Sequence, residues 1–319
     1  MTATLPESVR EVFARFITTE YTTVDRRGRP ITWPVTPYYA DGGEHIDVTT
    51  GLGYPKKAED ARANPKVALL FSDPTGSGIG DPPMVLVQGT ATVDDADLDA
   101  NRERYWREST AKLPGMADMH PPAFIRSLFN WYYTRIYVHV RPERVFVWPG
   151  GDVTSEPELY DSHMEEVRSG HDEEPDVPLA PPSGGEPAWD ERIGELGRTH
   201  RDAVLSIVAP DGFPFSARVG VRADAGERLI RIAEEPAGMP LRPGPACVTA
   251  HVHDETFSWQ RNFQVRGDLV EDSGGWAVVP RRLVGGFELP KSRLAAWREN
   301  LGKIRRFRRT AKRELARRR

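Results

Sequence analysis

The sequence predicts a mainly β protein of the α+β class, built as two small barrels in tandem with a basic helix at the C-terminus. Three observations carry that prediction. Short runs rich in β-branched and aromatic residues recur between turn residues, which is the pattern of strands in hairpins. Helical spacing of apolar residues is confined to a few stretches. The order of these runs also repeats once along the 319 residues, more than one typical domain of ~100–200 residues.

Taken in order, Val9, Val12, Phe13 and Phe16 fall at helical spacing, so residues 6–17 open the chain as an amphipathic helix. Tyr21–Val24 and Ile31–Tyr39 flank the turn Asp25-Arg-Arg-Gly-Arg-Pro30 and form a hairpin. Asp41-Gly-Gly43 turns the chain into the strand His45–Thr50. A short helix begun by Pro55 ends at Asn64-Pro65, because proline disfavours helical geometry in the residue before it. Val67–Phe71 and Met84–Val93 are strands on either side of a Gly/Pro-rich loop. Asp94–Lys112 is helical from an acidic start, Leu113–Pro122 is a break, and Phe124–Tyr132 is a second short helix. Tyr133–Val140 and Arg144–Trp148 close this half as strands around Arg141-Pro-Glu. Strands this dense, joined by tight turns, indicate a small β-barrel.

The expected domains are therefore a first barrel at 1–150, a linker at 151–195, a second barrel at 196–290 and a basic helix at 291–319. Between Gly150 and Glu195, fourteen acidic residues stand against Arg168 and Arg192, with a proline-rich run at 178–187. Such a stretch has little core to bury. The second barrel restates the first. Ala203–Val221 copies the hairpin, Leu229–Ile232 the strand at 45–50, Pro245–His251 the strand after Pro65, and Phe263–Val270 the strand containing Gly89. The intervals Pro30→Pro65→Gly89 are 35 and 24 residues, and Pro214→Pro245→Gly267 are 31 and 22.

One difference between the copies bears on function. Lys56 and Lys57 occupy the first turn of the short helix in the first copy, where unpaired backbone N–H groups already favour an anion. Spacing alone leaves two readings open, a bound phosphate or two solvated lysines. The second copy has Glu234-Glu-Pro-Ala-Gly-Met-Pro-Leu-Arg-Pro-Gly-Pro245 there, four residues shorter, acidic at its start and too rich in proline for a helix.

With these residues in view, the first copy resembles the pyridoxamine 5′-phosphate oxidase-like superfamily, the flavin-binding split barrels. The resemblance rests on the Gly-Arg-Pro hairpin, Thr49-Thr50, the Lys-Lys turn, Ala63-Asn-Pro-Lys-Val-Ala-Leu-Leu-Phe71, Gly89 in its strand, and Ile136–Gly150. It covers residues ~10–150 and, more weakly, ~197–290. It implies two tandem split barrels that form an intramolecular pseudo-dimer, with FMN between them and coenzyme F-420, a deazaflavin, as the alternative. Carried over, Lys56 and Lys57 fall on the phosphate-binding pair, Thr50 with Thr49 beside it on the hydroxyl donor, and Thr32, Trp33, Pro34 and Val35 on the strand lining the ring. The implied function is a flavin-dependent oxidoreductase transferring hydride or electrons to or from a small-molecule substrate; a non-catalytic flavin- or haem-binding protein is the further alternative, with haem disfavoured. Met84 stands where the oxidases carry an amide, and their substrate-phosphate residues have no match, so vitamin B6 oxidation is not expected and no catalytic residue can be named.

The remaining candidates are weaker. His251 and His253 share a strand face, but two imidazoles make no metal site and none is expected. Ser206 and Ser216 have no nucleophile motif around them. Trp259-Gln-Arg-Asn262 is a candidate to cap the ring from the second copy. In the C-terminal segment, Leu294, Trp297, Leu301, Ile304 and Phe307 form one apolar helical face. Residues 291–319 carry a net +11 and the rest of the chain −15. Nucleic acid, anionic lipid and the chain's own acids are the possible partners of that end, with its own acids or solvent preferred. A single cysteine, Cys247, excludes an internal disulfide; no apolar run is long enough to span a membrane and no signal peptide is visible, so a cytoplasmic protein is expected.

Overall fold

The computed structural model describes residues 5–40, 42–113, 130–161, 181, 184–286 and 293–318, with side chains left out at 130–131 and 293–304. The expected break at 113–122 beyond Leu113, most of the helix at 124–132, half of the proline run at 178–187 and the side chains of Leu294, Trp297, Leu301 and Ile304 lie outside the described residues.

Helix α1 (Glu7–Arg15) buries Val9, Val12 and Phe13. The first sheet comprises β1 (Thr19–Val24), β2 (Pro30–Val35), β3 (Tyr38–Tyr39), β4 (Ile46–Gly51), β5 (Lys66–Phe71), β6 (Met84–Asp94), β7 (Arg135–Trp148) and β8 (Glu158–Asp161). Its order is β2-β1-β5-β6-β7-β4-β3, with β8 paired to β7. Alternate residues, among them Ile46, Val48, Val67, Leu69, Val85, Val87, Ile136 and Val138, point into one apolar interior, as the two-residue strand period requires. Helix α2 (Lys56–Ala63) joins β4 to β5, and α3 (Leu98–Lys112) and α4 (Asn130–Tyr133) lie between β6 and β7. Helix α3 starts later than its acidic residues suggest, because Asp97 is the cap and accepts from the backbone N–H of Asp99 and Ala100.

The second sheet comprises β9 (Asp202–Val208), β10 (Pro214–Asp224), β11 (Leu229–Ile232), β12 (Gly244–His253), β13 (Gln260–Asp272) and β14 (Gly275–Gly285), closed in the order β10-β11-β14-β13-β12-β9. Strand β10 pairs with β9 over Pro214–Gly220 and with β11 over Val221–Asp224, which closes the barrel. In the first sheet the same two pairings are shared between β2, on β1, and β3, on β4. Thr36-Pro37 separates them, and a proline cannot donate to the ladder.

Both sheets carry a bulge at a glycine. Gly89 pairs with Pro142 and leaves Glu143 extra; Gly267 pairs with Pro280 and leaves Arg281 extra. A Cβ on either glycine would overlap the carbonyl opposite, of Arg141 or Val279. The bulge explains why 135–148 is one strand rather than the expected two: Pro142 sits where the ladder is already interrupted. Strand β14 was not anticipated, for the same reason at Pro280. The stretch between the barrels also contributes more than a spacer, since β8 extends the first sheet and Val153, Ile193 and Leu196 enter the core of the second.

The barrels pack against each other through β1, β2, β5 and β6 on one side and β9, β10 and β12 on the other. Leu70, Leu86 and Trp148 share one apolar cluster with Leu205, Phe215 and Val248. At its centre four fully buried hydroxyls close a ring: Thr22 with Thr32 at 3.0 Å, Thr32 to Ser206 at 2.6 Å, Ser206 with Ser216 at 2.8 Å, and Ser216 with Thr22 at 3.0 Å. Gln264 adds an amide bond to the Thr32 carbonyl at 2.7 Å, and Gln88 one to that of Pro214 at 2.9 Å. Helix α5 (Arg293–Arg317) lies on the first barrel, where Ala311, Phe307 and Leu315 join its apolar interior.

Candidate functional site

The turn from β4 into α2 is set by Gly51. A Cβ there would lie 2.7 Å from the Tyr54 ring, so only glycine lets the phenol fold back over the strand end. Thr50 donates its hydroxyl to the Tyr54 carbonyl at 2.8 Å, and the Tyr54 N–H returns a bond to Gly51 at 2.9 Å. Pro55 then caps α2 without any side-chain bond; its carbonyl accepts from the N–H of Ala58 at 2.9 Å and of Glu59 at 3.0 Å, which leaves those of Lys56 and Lys57 to other acceptors. The two lysines that follow differ. Lys56 is largely exposed and ion-paired with Asp60. Lys57 has no carboxylate partner among the described residues; burial, helped by the nearby charge of Arg135, pushes its ammonium down to about 7. Thr49 is half-buried on the neighbouring strand position.

Directly across the sheet from Gly51 stands Arg135, at the start of β7. Its side chain is 5% exposed and enclosed by tyrosines. It donates to the Tyr54 hydroxyl at 2.9 Å and the Tyr105 hydroxyl at 2.7 Å, and its guanidinium lies 4.1 Å from the Tyr105 ring centre and 4.2 Å from that of Tyr132. Sequence reasoning missed this residue, although the run Trp131-Tyr-Tyr-Thr-Arg135 was a visible signal. Phe307 of α5 packs edge-on against the other side of Tyr54, with ring centres 5.5 Å apart. The structure thus brings Thr50, Tyr54, Lys57 and Arg135 together, while Lys56 turns to Asp60.

The hairpin residues are placed differently. Thr32 turns its hydroxyl into the ring between the barrels, and its carbonyl accepts from Gln264 and Thr249. Val35 is buried in the first barrel's interior, while Trp33 and Pro34 stay half-buried.

A second polar cluster bridges the barrels. Glu20 of β1, fully buried, receives a hydrogen bond from Arg218 of β10 at 3.0 Å and one from Ser72 at 2.9 Å, and lies 2.5 Å from Nε2 of His251. Burial raises its carboxyl, but the hydrogen bond and charge of His251 and the charge of Arg218 outweigh it and hold the group below its usual range. Asp73 lies 3.7 Å from His251 and 3.6 Å from His253, and Thr18 bonds His253 at 3.1 Å. The two imidazoles do share a face, stacked nearly parallel; their partners are the buried Glu20 and the half-buried Asp73. Among the described residues no group of three or more His, Cys, Asp and Glu is arranged to hold a metal.

Two cavities are prominent. One of about 590 Å³ lies beside this cluster, between Phe16, Met84 and Val153 on one side and Asp202, Arg218 and Glu234 on the other. The other, about 990 Å³, runs between the β1–β2 turn, α2 and the end of α5, with Arg26, Arg27, Lys56 and Arg317 on its walls. There the basic end of α5 meets acids of the first barrel, Arg318 reaching Asp95 at 3.0 Å and Arg317 lying 4.0 Å from Glu59. No described helix is long and apolar enough to cross a membrane.

No protein-family model matches the chain, and no curated protein matches it. Among solved structures the chain is similar to the conserved hypothetical protein Rv2991 from Mycobacterium tuberculosis, at 19% identity and a TM-score of 0.35, over 47% of this chain and 88% of that one. It is similar to an F420 reductase at 21% identity and a TM-score of 0.33, over 44% of this chain and 98% of that one. It is also similar to HutZ, the heme storage protein from Vibrio cholerae, at 16% identity and a TM-score of 0.31, over 45% of this chain and 93% of that one.

Proposed function

We propose that this chain binds a phosphorylated flavin and works as a flavin-dependent oxidoreductase of the pyridoxamine 5′-phosphate oxidase-like type. The observation that carries the reading is the β4–α2 turn, where Lys57, with no carboxylate on it among the described residues, stands in the first turn of a helix whose cap makes no side-chain bond. A phosphate monoester supplies the acceptors that such a turn lacks. FMN is the cofactor proposed, with coenzyme F-420 as the alternative carrying the same phosphate chemistry. A bound flavin supplies the redox chemistry, and the protein supplies binding, orientation and electrostatics.

We also infer that the two barrels are copies of one unit, paired within the chain as two subunits would pair. The common strand order, the bulge at Gly89 and at Gly267, and the ring of four hydroxyls support this. Each copy contributes a hydroxyl pair from its first two strands, Thr22 with Thr32 and Ser206 with Ser216. On this reading one cofactor site survives per chain, its phosphate end in the first barrel.

The test is the absorption spectrum of the purified protein, before and after FMN or F-420 is added and the excess removed. Retained bands near ~450 nm identify a flavin and near ~420 nm a deazaflavin, features that belong to the cofactor. A colourless protein that retains neither rejects the reading.

A further inference from the structure

Arg135 is a buried cation with an incomplete set of partners. Two of its nitrogens donate to phenols, but Nε is buried and makes no hydrogen bond. The hydroxyl of Tyr38, on β3, is likewise buried without a partner. Tyr38 packs edge-on against Tyr105, with ring centres 6.4 Å apart, so both orphan donors belong to one cluster. Leaving buried donors unmade is costly, and a group that only accepts satisfies both.

The charge balance points the same way. Lys57 and Arg135 approach the same ring from different elements, Lys57 at 6.0 Å from the Tyr54 centre and Arg135 bonded to its hydroxyl. Glu108 of α3 is the acid that acts on Tyr38, and it is committed to Arg104 at 2.8 Å and to the Tyr137 hydroxyl at 2.7 Å. Two cations, with phenols around them and no carboxylate paired to either among the described residues, call for a counter-charge of about two. Tyr54 and Lys57 each keep part of their surface exposed, which gives a ligand a way in.

We propose that Arg135, Lys57 and the Tyr38 hydroxyl together bind a doubly charged phosphate monoester at the end of β4, with Arg135 as its inner anchor. This rests on the reading that Lys57 takes a phosphate, and it adds a binding residue from the opposite strand. A monoester phosphate is close to dianionic at neutral pH, its second pKa being ~6. It matches both cations, whereas a carboxylate matches one.

The experiment is calorimetric titration of the full chain with inorganic phosphate and, separately, with FMN, for wild type, Arg135→Gln and Tyr38→Phe. Expected are phosphate binding that FMN competes away, at least a tenfold loss of affinity for both ligands in Arg135→Gln, and a smaller loss in Tyr38→Phe. Binding should also take up protons between pH 7 and 8.5, read from buffers of different ionisation enthalpy. The groups facing Lys57 and Arg135 are tyrosines 38, 54, 105 and 132; burial raises the phenols of Tyr38, Tyr54 and Tyr105, and the FMN phosphate is already dianionic in that range, so the uptake measured with FMN reports the lysine. If Arg135→Gln does not fold, Tyr38→Phe and Arg135→Lys decide. Unchanged phosphate affinity in folded variants overturns the proposal. Phosphate binding that depends on Arg135, without any flavin binding, upholds this site and rejects the flavin. Flavin binding that ignores both Arg135→Gln and added phosphate does the reverse.

Discussion

The connection after β4 and the connection after β11 occupy the same place in their two sheets and are built in opposite ways. After β4 the chain makes a glycine turn, folds Tyr54 back over Gly51 and starts a helix with two lysines. After β11 it makes no helix; Glu234 bends back to accept from the Gly220 N–H at 2.5 Å, and prolines carry the chain on to β12. The lysine turn presents donors and positive charge, with Lys56 held by Asp60 and no acid on Lys57 among the described residues. The glutamate turn presents an acceptor that is already used, beside a cavity whose wall also carries Asp202. With a similar strand order in the two sheets, the connecting loop sets the sign of the charge at each sheet's end.

The comparison breaks first at the ligand. Lys57→Ala is expected to weaken FMN or phosphate binding by roughly 10- to 150-fold, the worth of a charged hydrogen bond of about 1.5–3 kcal/mol. Arg242→Ala, in the corresponding loop, is expected to change it by less than twofold, read in the same titration. Equal effects would mean that the loops are not functionally different.

It sharpens next at the bulges. Gly89→Ala and Gly267→Ala each force a methyl into a backbone carbonyl, and each is expected to cost about 1–3 kcal/mol by denaturant unfolding. The likeness of the frames predicts similar losses, and a large cost in one barrel with none in the other would argue against equivalent bulges.

The pH dependence follows from Lys57. Its folded value is lowered to about 7, so its charge is present below that pH and lost above it. A bound dianion favours the charged lysine, and the monoester is itself dianionic only above its second pKa of ~6, so affinity peaks between about pH 6 and 7 and falls as pH rises further, by up to about tenfold per unit. Lys57→Met is expected to flatten that slope. The smallest effect belongs to the contact between the frames: Ser216→Ala removes one hydroxyl of four and should cost about 1 kcal/mol of stability, without altering phosphate affinity.

Much of this architecture was readable before the structure was seen, because strands announce themselves by residue type and turns by Gly and Pro. The hairpin at Asp25–Pro30, the helix after Pro55 and the glycine at position 89 are local signals. What escaped notice depended on partners distant in sequence. Pro142 and Pro280 split or hid their strands, since a proline argues against a strand interior unless a bulge faces it, and the bulge belongs to the neighbouring strand. Arg135 reads as one more basic residue until Gly51 is known to lie opposite. His251 and His253 were correctly placed on one face, but their acids, Glu20 and Asp73, come from the other barrel. The hydroxyl ring could not be seen at all, because each of its pairs is an ordinary polar pair on a hairpin until the two hairpins meet.

That ring has a property of its own. A hydroxyl gives one proton and can receive another, so four of them in a closed cycle satisfy one another without water or charge. In this cycle Thr32 donates to Ser206, which fixes the sense of the rest: Ser206 to Ser216, Ser216 to Thr22 and Thr22 to Thr32. The order is collective, since one hydroxyl reversed alone leaves two donors facing each other and two acceptors facing each other. The seam between the barrels therefore holds a neutral element with a single sense of circulation. Deleting a single hydroxyl opens the cycle into a line, whose two ends must then find other partners in a seam that offers little water.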